Sequence, residues 1–216
     1  MNRYFVLDNL DATHDGPIRI SDDTAVHLRQ GDADGACGPY VVFMALIVLD
    51  LAEREEVAAW GGHDGRTKLG KLYKGLNAAR DPLFKKGTDL ESLEAILLKA
   101  FGGDVASERH EESGKSALAF IKRHVREGHP VIVQLDGKDV AHFVLAIGLD
   151  GGAGDGTEVD RLLVLDPDAV ASTVCPWNGV VDARATGGKY PYTWWTAGDG
   201  GDTKVQFHSA LALWRK

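Results

Sequence analysis

Between Pro130 and Asp166 the chain reads PVIVQLDGKDVAHFVLAIGLDGGAGDGTEVDRLLVLD. Three runs of strand length, Pro130–Leu135, His142–Leu149 and Arg161–Leu165, are rich in Val, Ile and Leu. Such residues suit a pleated, buried surface. The Gly- and Asp-rich loop Gly151–Thr157 joins the second run to the third, most simply as a hairpin. A hairpin sets the opposite ends of its strands side by side. His142 at the start of one and Asp166 at the end of the other are then neighbours across the ladder. They stand 24 residues apart, room for two strands of about eight residues and a loop.

Upstream of Pro130 the period is helical. Pro39 to Leu51 is apolar almost all round, the mark of a buried helix. Pro39 suits its first turn, where the missing N–H costs no hydrogen bond. Glu53 to Glu56 marks the polar end. Arg66 to Ala79 is a basic, weakly amphipathic helix. Thr88-Asp89-Leu90-Glu91 reads as a capping box, with Leu90, Leu93, Ile96 and Leu97 forming one apolar face behind it. Ser116 to Arg126 repeats the pattern with Leu118, Ile121 and Val125, and Gly128 stops it.

Short strands are expected at Tyr4–Leu7 and at Ile18–Ile20 and Ala25–Leu28, which flank the turn Ser21-Asp22-Asp23. A last strand is expected at Val205–Leu213. Asp168 to Asp202 is the longest irregular stretch and carries Trp177, Tyr190, Tyr192, Trp194 and Trp195. Loops of that length in a compact domain are often functional; its aromatic-rich part, Trp177 to Trp195, reads equally as a pocket wall or as a flap packed on the sheet. There is no internal repeat and no linker. Helices followed by an antiparallel sheet make the fold class α+β. The expectation is a single domain over 1–216, with a helical part at about 37–127 and a β part at about 129–215.

Composition narrows the function. The chain has 216 residues, 24 Lys and Arg against 32 Asp and Glu, and a formal charge of −8. An acidic chain without a basic run gains nothing from counterion release, so no nucleic-acid partner is expected. Two cysteines exclude a disulfide scaffold. The longest apolar stretch, Val41 to Leu49, is far short of the roughly 20 residues that span a bilayer. Residues 1–11 show no export leader, so the expected location is cytoplasmic, or outside by a route that needs no signal peptide.

Cys37 lies where the polar loop Gln30–Gly35 meets the buried helix. A thiol there faces unpaired backbone N–H groups and the positive end of the macrodipole, which favour thiolate and raise reactivity. Gly35 and Gly38 let a substrate backbone come close. A cysteine nucleophile needs a base, and the base needs an orienting group. His142 and Asp166 fit those two roles from the hairpin geometry. Bringing Cys37 to them requires the helix N-terminus to face the sheet edge, which spacing alone does not decide.

At this point three segments resemble a family. Gln30-Gly31-Asp32-Ala33-Asp34-Gly35-Ala36-Cys37-Gly38-Pro39, Ala141-His142-Phe143-Val144 and Leu163-Val164-Leu165-Asp166-Pro167 look like the nucleophile, His and Asp segments of papain-like cysteine peptidases. The nearest form is the bacterial C39-like group, related to bacteriocin-processing peptidases. The resemblance implies a papain-like fold and a hydrolase of peptide or amide bonds. Cys37 would be the nucleophile, His142 the general base and acid, and Asp166 the residue that orients the imidazole. It also implies that Gln30 donates to an oxyanion hole beside the Cys37 backbone N–H, a kind of donor worth about 3–4 kcal/mol. Gln30 stands seven residues before Cys37, one more than is usual for such peptidases. No cofactor and no metal are required, and the partner is a peptide or protein substrate.

An amine acceptor in place of water would make the same site an acyltransferase. A non-catalytic binding module on the same frame, and a redox pair of Cys37 with Cys175, are the rivals from other classes. Asp32 and Asp34 either bind an ion or solvate the loop. Ser113-Gly114-Lys115-Ser116 ends like a phosphate loop, but Arg109 stands where its first Gly belongs. The remaining histidines are scattered, without metal-ligand spacing.

Overall fold

A computed structural model describes residues 4–30, 36–58, 63–78, 89–151, 159–197 and 202–216. Its centre is the hairpin expected from the sequence. Strand β7 (Ala141–Gly151) pairs antiparallel with β8 (Val159–Leu165), with Leu145 opposite Leu165 and Leu149 opposite Leu162. The loop between them lies outside the described residues. On its other side β7 pairs with β6 (Val131–Gly137), which pairs with the long β11 (Thr203–Arg215).

The sheet then does something the α+β reading did not foresee. β11 pairs with β10 (Tyr192–Thr196), β10 with β9 (Gly179–Asp182), and β9 returns to β8. The ring β7-β6-β11-β10-β9-β8 is therefore a closed antiparallel barrel. The expected α+β, papain-like arrangement, a helical part with a buried nucleophile helix packed on a C-terminal antiparallel sheet, is corrected to a β-rich fold around this barrel. The physical reason lies in the stretch read as irregular. Asp168 to Asp202 holds β9 and β10, which fill the gap between β8 and β11. Tyr192-Thr193-Trp194-Trp195-Thr196 is an aromatic and β-branched run of good strand formers.

Closure is helped by bulges. The β7–β8 ladder shifts register between Ala146 and Gly148 and again between Asp150 and Gly151, and the β11–β6 ladder shifts between Phe207 and Ser209. Bulges bend strands and increase their twist, which a barrel needs. Two further strands extend the ladders: β1 (Tyr4–Val6) pairs with the far end of β7, and β5 (Val105–His110) with the far end of β11. At Gly148 a Cβ would meet the Phe5 carbonyl oxygen at 2.5 Å, so β1 sits against β7 only because this residue has no side chain.

The barrel strands are apolar at consecutive positions because both faces are covered. Ile132, Phe143, Leu145, Ile147, Leu211 and Leu213 face one core, shared with α1 (Cys37–Val48), α3 (Lys68–Ala78) and α4 (Leu90–Phe101). Their neighbours Val131, Val133, Val144, Ala146, Ala210 and Ala212 face a second core, shared with α5 (Lys115–Arg126). This is the period-2 alternation of a strand, with both halves buried. Helix α1 is buried from Val41 through Val48, as its all-round apolar sequence requires. A short helix α2 (Arg54–Ala58) follows it. The cap of α4 is Asp89, whose side chain accepts from the Ser92 N–H at 2.7 Å; Thr88 of the expected capping box lies outside the described residues.

A small antiparallel sheet, β2 (Leu10–Thr13), β3 (Gly16–Arg19) and β4 (Thr24–Ala25), is fastened to the end of α1. Arg19, only 1% exposed, donates to the Ile47 carbonyl at 2.8 Å and pairs with Asp22, Asp50 and Glu53. Its cation thus meets the negative end of the α1 macrodipole. Among the described residues no helix is long and apolar enough to cross a membrane.

Candidate active site

Cys37 is the first residue of α1. Its N-cap, Ala36, makes no side-chain cap hydrogen bond. α1 packs along β7 through the core that includes Phe143, Leu145 and Ile147. That packing brings the helix start to the start of β7, where His142 stands. The juxtaposition left undecided by spacing is therefore made by the buried faces of α1 and β7.

His142 is 8% exposed and Asp166 fully buried. Imidazole Nε2 lies 2.8 Å from Asp166 Oδ1. The Cys37 side chain hydrogen-bonds to the same imidazole. With Nε2 engaged by Asp166, Nδ1 is the nitrogen left for sulfur. Burial alone would push the ring towards neutrality. The hydrogen bonds to Asp166 and Cys37, and the charges of both, more than offset it, and the pKa of His142 is pushed up to about 10. Trp194 stacks on the other side of the ring, centroids 5.1 Å apart and planes 28° from parallel. The imidazole is thus held at both nitrogens and on one face.

Asp166 is itself anchored. Oδ1 also accepts from the Asp168 N–H at 2.9 Å. Asn178 brackets the Asp166 backbone: its Oδ1 accepts from the Asp166 N–H at 2.7 Å and its Nδ2 donates to the Asp166 carbonyl at 2.9 Å. His27 donates to that carbonyl through Nε2 at 2.8 Å, and burial lowers its pKa. Asp166 Oδ2 is buried without a hydrogen-bond partner among the described residues.

Gln30 is placed differently from the other three. Its backbone N–H donates to the Pro167 carbonyl at 2.8 Å and its Nε2 donates to Asp168 Oδ1 at 3.0 Å. It is joined to the Asp166 side of the site, and Gln30 Oε1 is buried without a partner among the described residues. Residues 31–35, with Asp32, Asp34 and Gly35, lie outside the described residues. Both cysteines are free thiols. Cys175 donates to the Trp177 carbonyl at 3.1 Å and lies 3.2 Å from Ser172 Oγ, within its own turn.

Asn178 and His27 are parts of the site that the sequence did not reveal, and Trp194 stands out in the sequence only as one aromatic of a long loop. Each comes from a distant element, and none carries a local signature. No group of three metal-ligating side chains occurs at this site among the described residues.

No family model matches the chain, and no curated protein sequence matches it. Among solved structures it is similar to the crystal structure of UfSP from C. elegans, with a TM-score of 0.44 and 15% sequence identity. That similarity covers 98% of this chain and 35% of the other, so the chain spans about a third of that protein's length.

Proposed function

We propose that this protein is a cysteine hydrolase of peptide or amide bonds, with Cys37 as nucleophile, His142 as general base and acid, and Asp166 as the group that orients and charges the imidazole. The observation that carries the reading is that one buried imidazole is hydrogen-bonded both to a helix-terminal thiol and to a buried carboxylate. This is the nucleophile, base and orienter order that covalent catalysis needs.

The Cys37 sulfur attacks the substrate carbonyl carbon as thiolate, its proton resting on His142. The carbonyl oxygen becomes an oxyanion. In this reading the Cys37 backbone N–H at the start of α1 donates to it, and we assign Gln30 as the second donor. Its amide nitrogen carries two hydrogens, of which one is directed at Asp168. Collapse breaks the carbon–nitrogen bond, and the amine leaves with the proton from His142. Water then gives that proton back to His142 as it attacks the thioester, and the thiolate departs.

The test is alkylation of the native protein by iodoacetamide, with the site of modification read by mass spectrometry. Cys37 is expected to react well above the rate of a free thiol at neutral pH, while His142→Ala brings it down to that rate. An acylating peptide ester should leave a thioester on Cys37 that water clears in the wild type. Reaction of Cys37 no faster than a free thiol, unchanged in His142→Ala, overturns the proposal.

A further inference from the structure

Helix α5 ends in an arrangement with a chemistry of its own. Its last turn and the residues just past it run His124-Val125-Arg126-Glu127-Gly128-His129. Gly128 adopts φ +86°, a left-handed conformation that reverses the chain. The Gly128 N–H donates to the Val125 carbonyl at 3.1 Å and the His129 N–H to the His124 carbonyl at 2.9 Å. This pair of bonds is the Schellman motif. Its two closing positions usually hold an apolar contact; here they hold two histidines.

The consequence is a cluster of three ligand atoms. His124 Nδ1 lies 3.2 Å from His129 Nδ1, and Glu127 Oε2 lies 3.5 Å from the first and 3.7 Å from the second. A tetrahedral zinc ion with bonds of about 2.0–2.1 Å sets neighbouring ligand atoms about 3.3–3.4 Å apart. The triangle matches that spacing, and an ion at its centre reaches all three. The far nitrogen of the buried ring has its own partner: His124 Nε2 lies 3.2 Å from Glu108 Oε2, on β5. A carboxylate on the second nitrogen is how ligating histidines are oriented. Arg123 Nη2 donates to the same Nε2 at 2.8 Å and pairs with Glu108 Oε1 at 2.5 Å, so in the metal-free chain Nε2 accepts, and an ion on Nδ1 moves the ring proton to Nε2, where Glu108 takes the place of Arg123 as its partner. Trp214 of β11 stacks on both imidazoles, with centroids 5.9 and 4.9 Å away. The rings are fixed in place by elements other than their own helix.

We propose that His124, Glu127 and His129 form a three-ligand site for a divalent transition ion of the zinc class. The His124 side chain is 3% exposed, that of His129 24% and that of Glu127 49%, so the cluster is reachable from solvent on its Glu127 side. The site does not depend on the reading of Cys37. When filled, it ties the end of α5 to the barrel at β5 and β11.

The experiment titrates Zn2+ into the full-length, metal-stripped chain carrying Cys37→Ser, which removes that thiol as a competing ligand. Calorimetry is expected to show one ion per chain, and the melting temperature should rise with Zn2+ concentration. Co2+ in its place should give the strong visible absorption of tetrahedral coordination. Glu108→Gln should weaken binding about 10–100-fold, and His129→Ala should weaken it further. Glu127→Ala, at a half-exposed position, makes the same comparison if His129→Ala fails to fold. The proposal is overturned if no saturable binding occurs, leaving a hydrogen-bonded histidine pair. It is equally overturned if Zn2+ binds the ligand variants as tightly as their parent.

Discussion

His142 Nε2 and Asp166 Oδ1 meet at 2.8 Å, one residue at the start of a barrel strand and the other just past the end of the strand paired with it. The carboxylate is fully buried and keeps its second oxygen without a partner. Asp166→Asn preserves an acceptor for Nε2 and for the Asp168 N–H but removes the charge that stabilises the imidazolium. Acylation of Cys37 should fall on the order of 10²–10⁴-fold with the fold retained. Single-turnover kinetics, with circular dichroism to check folding, measure this.

The same pair makes stability depend on pH. The folded pKa of His142 lies above its ordinary 6.5, at about 10. A raised pKa means that the native state holds the proton more tightly than the unfolded chain. The resulting stabilisation is fully present below pH 6.5 and is lost as the pH rises through about 10. Urea unfolding across that window should show the wild type losing stability relative to His142→Gln. A constant difference between the two would contradict the assignment.

In the proposed reaction Asn178 would act through Asp166, as a positioning residue. Asn178→Ala leaves the buried Asp166 N–H without its acceptor. The expected cost is about 1–3 kcal/mol of stability, read from urea denaturation. A fall in kcat with KM little changed should accompany it, because the carboxylate is then free to shift beneath the ring.

Gln30 separates two roles. If its amide donates to the oxyanion, Gln30→Ala lowers kcat about 10²–10³-fold, while Asp168→Ala, which frees the Gln30 amide from its anchor, has a much smaller effect. Equal losses in the two variants would instead make Gln30 a fastener of the loop onto Pro167 and Asp168.

The seating of β1 against the barrel is tested at Gly148. An alanine there drives its Cβ against the Phe5 carbonyl oxygen at 2.5 Å, with Val6 and Leu163 side-chain atoms at 3.1 and 3.2 Å. Gly148→Ala should cost about 1–3 kcal/mol, the usual penalty for overpacking. Hydrogen exchange should show the β1–β7 pairing loosened first.

Much of this architecture is legible locally. The apolar helix at Pro39–Leu51 became α1, and the run from Pro130 to Leu165 became three paired strands. Period and composition act over a few residues, so a single pass along the chain detects them. The hairpin that pairs His142 with Asp166 is local too. The strands β9 and β10 are only four and five residues long, and the Gly, Pro and Lys around them mask even the good strand formers of Tyr192–Thr196. Their partners, β8 and β11, lie elsewhere in the chain, and pairing is what makes them strands. The polar strand β5, Val-Ala-Ser-Glu-Arg-His, is likewise held by its ladder with β11.

By itself the sequence determined where the candidate groups stand, a thiol at a helix start and a His and an Asp at the ends of one hairpin. It also determined that α1 must be buried. Tertiary structure alone decided that the sheet closes into a barrel, because closure depends on bulge positions and on pairing between strands far apart in the chain. It also decided that Cys37 reaches His142, since that contact follows from how the buried faces of α1 and β7 pack. The anchoring of Asp166 by Asn178 and His27, and the meeting of His124 with His129 under Trp214, belong to the same level. Hydrogen bonds and stacking between distant residues leave no period to read.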